Sequence, residues 1–388
     1  MHPRIRKIAA AGIVAAGIFF IFAVYSLTLS DKDAARRDFI SYWAAGQLLA
    51  HGQNPYDLQA VRRLETAAGR DPDAPVLTMR IPPLALFLAI PLGWVSPKIG
   101  LILWLFALQI TAALSIWLLW RLHGKPRSPF HLLGFIFPPV LVCNMAGQFG
   151  VFLLLGVVLF LWFHRTRPMA AGAALLFCAT KPHLFLPFGM AVLIWLLSRR
   201  KFGIFAGFAL ATLASCALSS IFDPHLWPQY SYMIPHGGAL NEVVPTLSAA
   251  LRLALPSHPL WSQYVLELLG AAWGAWYFWR HRTAWNWMDH GLLLLLVGSA
   301  CTPFGWFTDE SLLLPAVLAG ACAAEKAHRP IWPLAAIAGA ALLEVILGAE
   351  IVSWAYVWTP LAWLAWYLLS TGRLGFLRSR EAAISRPA

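Results

Sequence analysis

The chain has 388 residues, of which 60% are hydrophobic, 14% aromatic and only 12% charged, with a net charge of +12. That apolar share excludes both a water-soluble globular domain and an intrinsically disordered chain. Apolar stretches of membrane-spanning length recur from Ile8 to Ser370, so the expected architecture is all-α, integral to a membrane and polytopic, with residues 1–388 forming a single membrane domain.

Residues 8–29 carry no charge and follow Arg4, Arg6 and Lys7. The stretch is too long for the core of a signal peptide and lacks a small-x-small cleavage site, so it reads as an uncleaved helix whose N-terminus is cytoplasmic. Residues 30–80 form a first outer loop. Within it Asp38, Tyr42, Ala45 and Leu49 share one helical face and Phe39, Trp43, Gly46 and Ala50 a neighbouring one, predicting an amphipathic helix on the bilayer. The segment 81–96 is apolar but short and interrupted by Pro91. It reads as a re-entrant or interfacial helix, because counting it as a crossing would invert the placement of every later charge cluster. A crossing at 99–120 follows, then paired crossings at 129–145 and 149–163, 168–180 and 182–197, 203–221 and 261–279, 284–301 and 311–323, and 330–348 and 352–370. With 8–29 these make about twelve. Segments 168–180 and 182–197 are short for ~30 Å of hydrocarbon and suit a tilted hairpin with Lys181 and Pro182 at its tip. Residues 222–260, rich in Pro, His and aromatics, form a second outer loop expected to be an irregular lid.

The basic clusters set the orientation. Arg121, Lys125 and Arg127, then Arg165 and Arg167, Arg199 to Lys201, Arg280 and Arg282, Lys326 and Arg329, and the tail from Arg373 all fall on one side, the cytoplasm, together with both termini. The acids Asp31, Asp33, Asp38, Asp57, Glu65, Asp71, Asp73, Asp223, Glu242, Asp309, Glu310 and Glu350 fall on the other, which places any chemistry outside. The positive balance is thus membrane topology, and no nucleic-acid partner is expected. Cys143, Cys178, Cys216, Cys301 and Cys322 stand singly, with no CxxC pair and no His nearby in the chain, so neither a disulfide framework nor a zinc site is expected. His183, His225 and His236 lack metal-ligand spacing.

Several motifs carry a resemblance. Asp38-Phe39-Ile40-Ser41-Tyr42-Trp43-Ala44-Ala45-Gly46 followed by Gly52-Gln53-Asn54-Pro55-Tyr56-Asp57 resembles the first outer-loop signature of glycosyltransferase family 87. Arg80-Ile81-Pro82-Pro83, Gly147-Gln148, Lys181-Pro182 and Thr302-Pro303-Phe304-Gly305-Trp306 follow in the family's order. The family usually has Tyr or Phe where Ile81 stands. The resemblance implies a GT-C-like bundle in a bacterial inner (plasma) membrane, with the active site facing the periplasm. It also implies transfer of a hexose such as mannose from a polyprenyl-phosphate-sugar donor to a glycolipid or polysaccharide-precursor acceptor, with inversion and with Asp38 at the family's catalytic Asp.

The residues permit that chemistry on their own terms. Attack of an acceptor hydroxyl on an anomeric carbon needs one carboxylate base. The phosphate leaving group needs fixed positive charge and hydrogen-bond donors rather than an acid. Asp38 is the candidate base, although Asp is also favoured as a helix N-cap. Lys181, the sole basic residue between Pro168 and Ser198, either meets a lipid phosphate or snorkels to the interface. Arg80 clamps the same phosphate or anchors the interface. Gln148 holds sugar or caps a helix, and Asp309 with Glu310 binds acceptor hydroxyls, orients the donor, holds a metal ion or forms a solvated turn. Tyr42 stands beside Asp38, and Trp43 and Trp306 are the candidates for sugar stacking. Glu267 and Glu344, inside predicted spans, are expected to be functional or paired. No cofactor or metal is expected, the lipid-linked sugar being a substrate. The competing classes are a lipid-linked-sugar or lipid-phosphate transporter or flippase, disfavoured by the lack of an internal repeat, and a scaffolding subunit.

Overall fold

The computed structural model describes residues 17, 20–77, 79–237, 242–348 and 353–373. Arg4, Arg6, Lys7, half of the first apolar segment, Glu350 and the tail beyond Arg373 lie outside the described residues. Among the described residues the structure is helical without a strand. In chain order the helices are α1 (Asp31–Ala35), α2 (Phe39–Ala50), α3 (Leu58–Ala67), α4 (Pro97–Leu122), α5 (Pro138–Ala146), α6 (Gly150–Phe163), α7 (Pro168–Ala179), α8 (Leu186–Ser198) and α9 (Phe202–Phe222). There follow α10 (Leu226–His236), α11 (Leu247–Ala254), α12 (Val265–His281), α13 (Leu292–Cys301), α14 (Leu314–Lys326), α15 (Trp332–Ile346) and α16 (Thr359–Thr371).

Proline explains much of this segmentation. It occupies the first turn of α4, α5, α7, α8, α14, α15 and α16, where its missing N–H costs nothing and its fixed φ suits a helix start. Among the described residues four stretches are long and apolar enough to cross a membrane: Pro97–Leu122, Pro129–Ala146, Phe202–Phe222 and Phe307–Lys326. Most other expected crossings begin and end close to the predicted positions but are short. The 12 residues of α7 rise about 18 Å. Among the described residues, four of the expected crossings therefore meet the length requirement. Phe205, Leu210, Leu213 and Ile221 on α9 and Leu268 and Trp276 on α12 are exposed, so the outer surface is apolar as a lipid-facing surface is.

The first loop corrects one expectation. Helix α2 is not amphipathic: Phe39 to Gly46, Leu48 and Leu49 are all buried, around the whole circumference. A helix apolar on every side belongs in an interior, and α2 packs against the segment that follows the loop. The amphipathic helix of the loop is α3, which buries Val61 and Glu65 and exposes Arg62, Arg63 and Thr66. The segment 81–96 is also not one helix. It forms two 3-10 turns, Pro83–Leu88 and Ile90–Trp94, split by its prolines. The second turn lies against α2 so closely that a Cβ on Gly46 would sit 2.2 Å from the Ala89 carbonyl oxygen, and one on Gly93 2.3 Å from that of Gly46. The second outer loop, expected to be irregular, contains α10 and α11, the latter capped by the Thr246 hydroxyl.

All five cysteines are free. The expectation that no His stands near a Cys fails both along the chain, where His183 follows Cys178 by five residues and His328 follows Cys322 by six, and in space. Folding brings His123, at the end of α4, and His131, in the 3-10 turn Pro129–Phe135, to Cys322 on α14.

The Gly46–Gly93 contact yields a stability prediction. Gly46→Ala should cost about 1–3 kcal/mol, read as a lower unfolding midpoint in detergent. Gly189→Ala on α8, where a Cβ meets nothing within 4 Å, should leave the midpoint unchanged or raise it.

Candidate active site

The N-terminus of α2 and the turn between α5 and α6 meet at Gln148. Gly147 ends α5 in the left-handed region, at φ +70°, and a Cβ there would lie 2.7 Å from that of Phe39. Only glycine fits this turn without strain, and it delivers Gln148 to α2. The Gln148 amide is then fixed at both ends: its Nε2 donates to Asp38 Oδ2 at 2.7 Å, and its Oε1 accepts from the Tyr42 hydroxyl at 2.9 Å. Tyr42 is stacked on Trp104, with ring centroids 5.2 Å apart, and Trp104 Nε1 donates to the Gly147 carbonyl at 2.8 Å.

The capping reading of Asp38 is not what the structure shows. The residue does stand at the N-cap of α2, but its side chain makes no capping hydrogen bond. Its carboxylate turns to Gln148 instead. Burial pushes the Asp38 carboxyl up from its ordinary range, against the opposing pull of the Gln148 hydrogen bond and of the Arg70 and Lys181 charges. Arg70 is itself held by the carbonyls of Ala35 and Pro75 and by Glu65.

Lys181 does not snorkel. It is 8% exposed, and its Nζ donates to Asp309 Oδ1 at 2.6 Å. The Nζ also lies 5.0 Å from the centroid of the Trp306 ring. Asp309 Oδ2 accepts from the Trp306 backbone N–H at 3.2 Å, so one carboxylate both caps its own 3-10 turn (Phe307–Leu313) and matches the buried ammonium. A cavity of ≈ 20 Å³ beside Trp306, Asp309, Thr246 and Leu184 has room for a water molecule.

Other sequence candidates have contacts of their own. Trp43 is buried and donates from Nε1 to the Val95 carbonyl at 2.9 Å, so its ring packs rather than faces an opening. Glu310 is not in a solvated turn: its two oxygens accept from Thr359 Oγ1 at 2.6 Å and Trp363 Nε1 at 2.9 Å, tying the turn to α16. Arg80 forms an ion pair with Glu242. Of the two acids inside predicted spans, Glu344 accepts from Trp358 Nε1 at 3.0 Å and Glu267 is buried in the first turn of α12. Sequence reasoning passed over Trp104 and Arg70. An indole N–H in the middle of an apolar helix was the available signal for Trp104, since a buried donor needs a partner.

A model of glycosyltransferase family 87 matches residues 82–303. The chain belongs to glycosyltransferase family 87. The matched span includes Gln148, Lys181 and Thr302-Pro303, while Asp38, Trp306 and Asp309 flank it. No curated protein and no solved structure matches the chain. Family membership makes this a glycosyltransferase with membrane-spanning helices, which acts on a sugar donor and an acceptor in contact with a bilayer.

Two outcomes test the site's electrostatics. Lys181→Met should destabilise the protein by about 3–5 kcal/mol, because it strands the Asp309 charge, and adding Asp309→Asn should recover most of that loss; chemical denaturation in detergent reads both. For Asp38, a folded-state pKa above the unfolded one means that the neutral form is favoured, and its contribution to stability fades as pH rises through the raised value. Asp38→Asn should therefore melt no lower than wild type at neutral pH, and the difference should close as pH falls below that value.

Proposed function

We propose that this family 87 member is an inverting transferase of GT-C architecture, with about twelve crossings, both termini cytoplasmic and its site on the periplasmic face of a bacterial inner membrane. It moves a hexose, mannose as the first choice, from a polyprenyl-phosphate carrier to a glycolipid or polysaccharide precursor. The observation that carries this reading is the Asp38 carboxylate. It occupies a helix N-terminus yet leaves the cap unmade, and it is held by Gln148 in the same electrostatic environment as Lys181.

In the proposed reaction the acceptor hydroxyl attacks the anomeric carbon from the face opposite the phosphate. Its proton passes to Asp38, the bond from anomeric carbon to phosphate oxygen breaks, and polyprenyl phosphate leaves with both electrons. An upward-shifted carboxyl is a stronger base when ionised, which suits proton removal from an alcohol. Tyr42 and Gln148 hold the carboxylate in one orientation. Lys181, placed by Asp309 and the Trp306 ring, offers its remaining N–H donors to the phosphate. Arg80 reaches the phosphate only by exchanging its Glu242 partner, and it is secondary in this scheme.

Sugar transfer from radiolabelled polyprenyl-phosphate-mannose, in membranes that supply the glycolipid acceptor, tests the reading. Asp38→Asn should lower the transfer rate about 10²–10⁴-fold with donor binding retained, and the wild-type rate should fall on the acid side of the raised Asp38 pKa. Equal label in the product from both proteins would remove Asp38 as the base. Donor translocation without a new glycosidic product would instead favour the flippase.

A further inference from the structure

The cytoplasmic end of the bundle carries a cluster that sugar transfer does not use. His123 closes the long helix α4, His131 lies in the turn that follows, and Cys322 comes from the last turns of α14; one ligand atom from each lies within 4.8 Å of the other two. His123 Nδ1 and His131 Nε2 are 2.8 Å apart. Their remaining ring nitrogens, His123 Nε2 and His131 Nδ1, are buried without a hydrogen-bond partner among the described residues. Two neutral imidazoles in this contact share one proton between the facing nitrogens, and that proton is what a cation between Nδ1 and Nε2 would displace.

We infer that His123, His131 and Cys322 form a binding site for a thiophilic transition-metal ion, with Zn²⁺ the ion the donors fit best. Two imidazole nitrogens and a thiolate are borderline to soft ligands that suit Zn²⁺ and exclude the hard cations Mg²⁺ and Ca²⁺, which take oxygen. Tetrahedral Zn²⁺ with Zn–N of about 2.0–2.1 Å sets its nitrogen ligands about 3.3 Å apart. The histidine pair would open by about half an ångström and the thiol would close in, movements within side-chain reach. Binding releases the Cys322 thiol proton to solvent and leaves a fourth position for water.

The site is separate from the glycosyl-transfer machinery. Asp309 and Cys322 lie at opposite ends of the stretch Phe307–Lys326, 13 positions apart and so about 20 Å along a helix. An ion here would staple the C-terminus of α4 and the lead-in to α5 onto α14, three elements that meet only through folding.

The test uses the full chain purified in detergent, stripped with chelator, re-equilibrated with Zn²⁺ and measured for bound metal. One Zn²⁺ per wild-type chain is expected. Affinity should drop by at least about 10–100-fold in Cys322→Ser and His131→Ala, since even the outer partners of metal ligands are worth that much, and should hold in Cys301→Ser. A readout that needs no variant is Co²⁺ substitution of the wild type, which should produce thiolate-to-cobalt charge-transfer absorption. Absence of that band, or Zn²⁺ binding equal in all variants, would overturn the assignment. Both readouts are indifferent to whether the chain transfers sugar.

Discussion

An ammonium group taken out of water among apolar helices must be matched, and the Lys181–Asp309 pair is the match on which the site depends. Buried ion pairs contribute little net stability, yet losing either partner is severe. Such a pair acts as a constraint on which packing is acceptable. Here it ties the tip of the α7–α8 hairpin to the turn before α14, regions 128 residues apart in the chain. Because Asp309 also fixes the Trp306 N–H, the same constraint sets the aromatic ring that lies beneath the ammonium. The position of one charge thus determines three side chains.

The second half of the site is built by hydrogen bonds to an amide rather than by charge. Gln148 has one donor end and one acceptor end, and Asp38 and Tyr42 use them in the only sense that satisfies both. Desolvation and hydrogen bonding act on Asp38 in opposite directions, and desolvation dominates. A carboxyl so placed is destabilised in its charged form.

How legible all this was in the sequence depended on the range of the interaction involved. Apolar runs and basic clusters are local, and the helices begin and end near the positions they indicate. Lys181 was legible as an anomaly, one charge in an apolar pair, but its partner lay far away in the chain. The N-cap and base readings of Asp38 could not be separated from residue type, because the difference is a rotamer. Helix α2 misled for a related reason. Its two neighbouring faces look distinct on a helical wheel, but the second face is covered by the 3-10 segment that follows, a tertiary contact with no periodicity of its own. The His123–His131–Cys322 cluster was invisible because Cys322 is nearly two hundred residues from either histidine.

The contact between Gly46 and Gly93 also has a mechanical meaning. Main chain rests directly on main chain there, with no side chain between to rotate, compress or exchange rotamers. Helix α2 consequently behaves as a fixed jaw, and Asp38 at its end keeps a set distance from the surrounding helices. Whatever gives way to admit a sugar donor and an acceptor lies elsewhere, in elements that meet through deformable side chains. The Asp38 carboxylate is the stationary reference against which such an opening is measured.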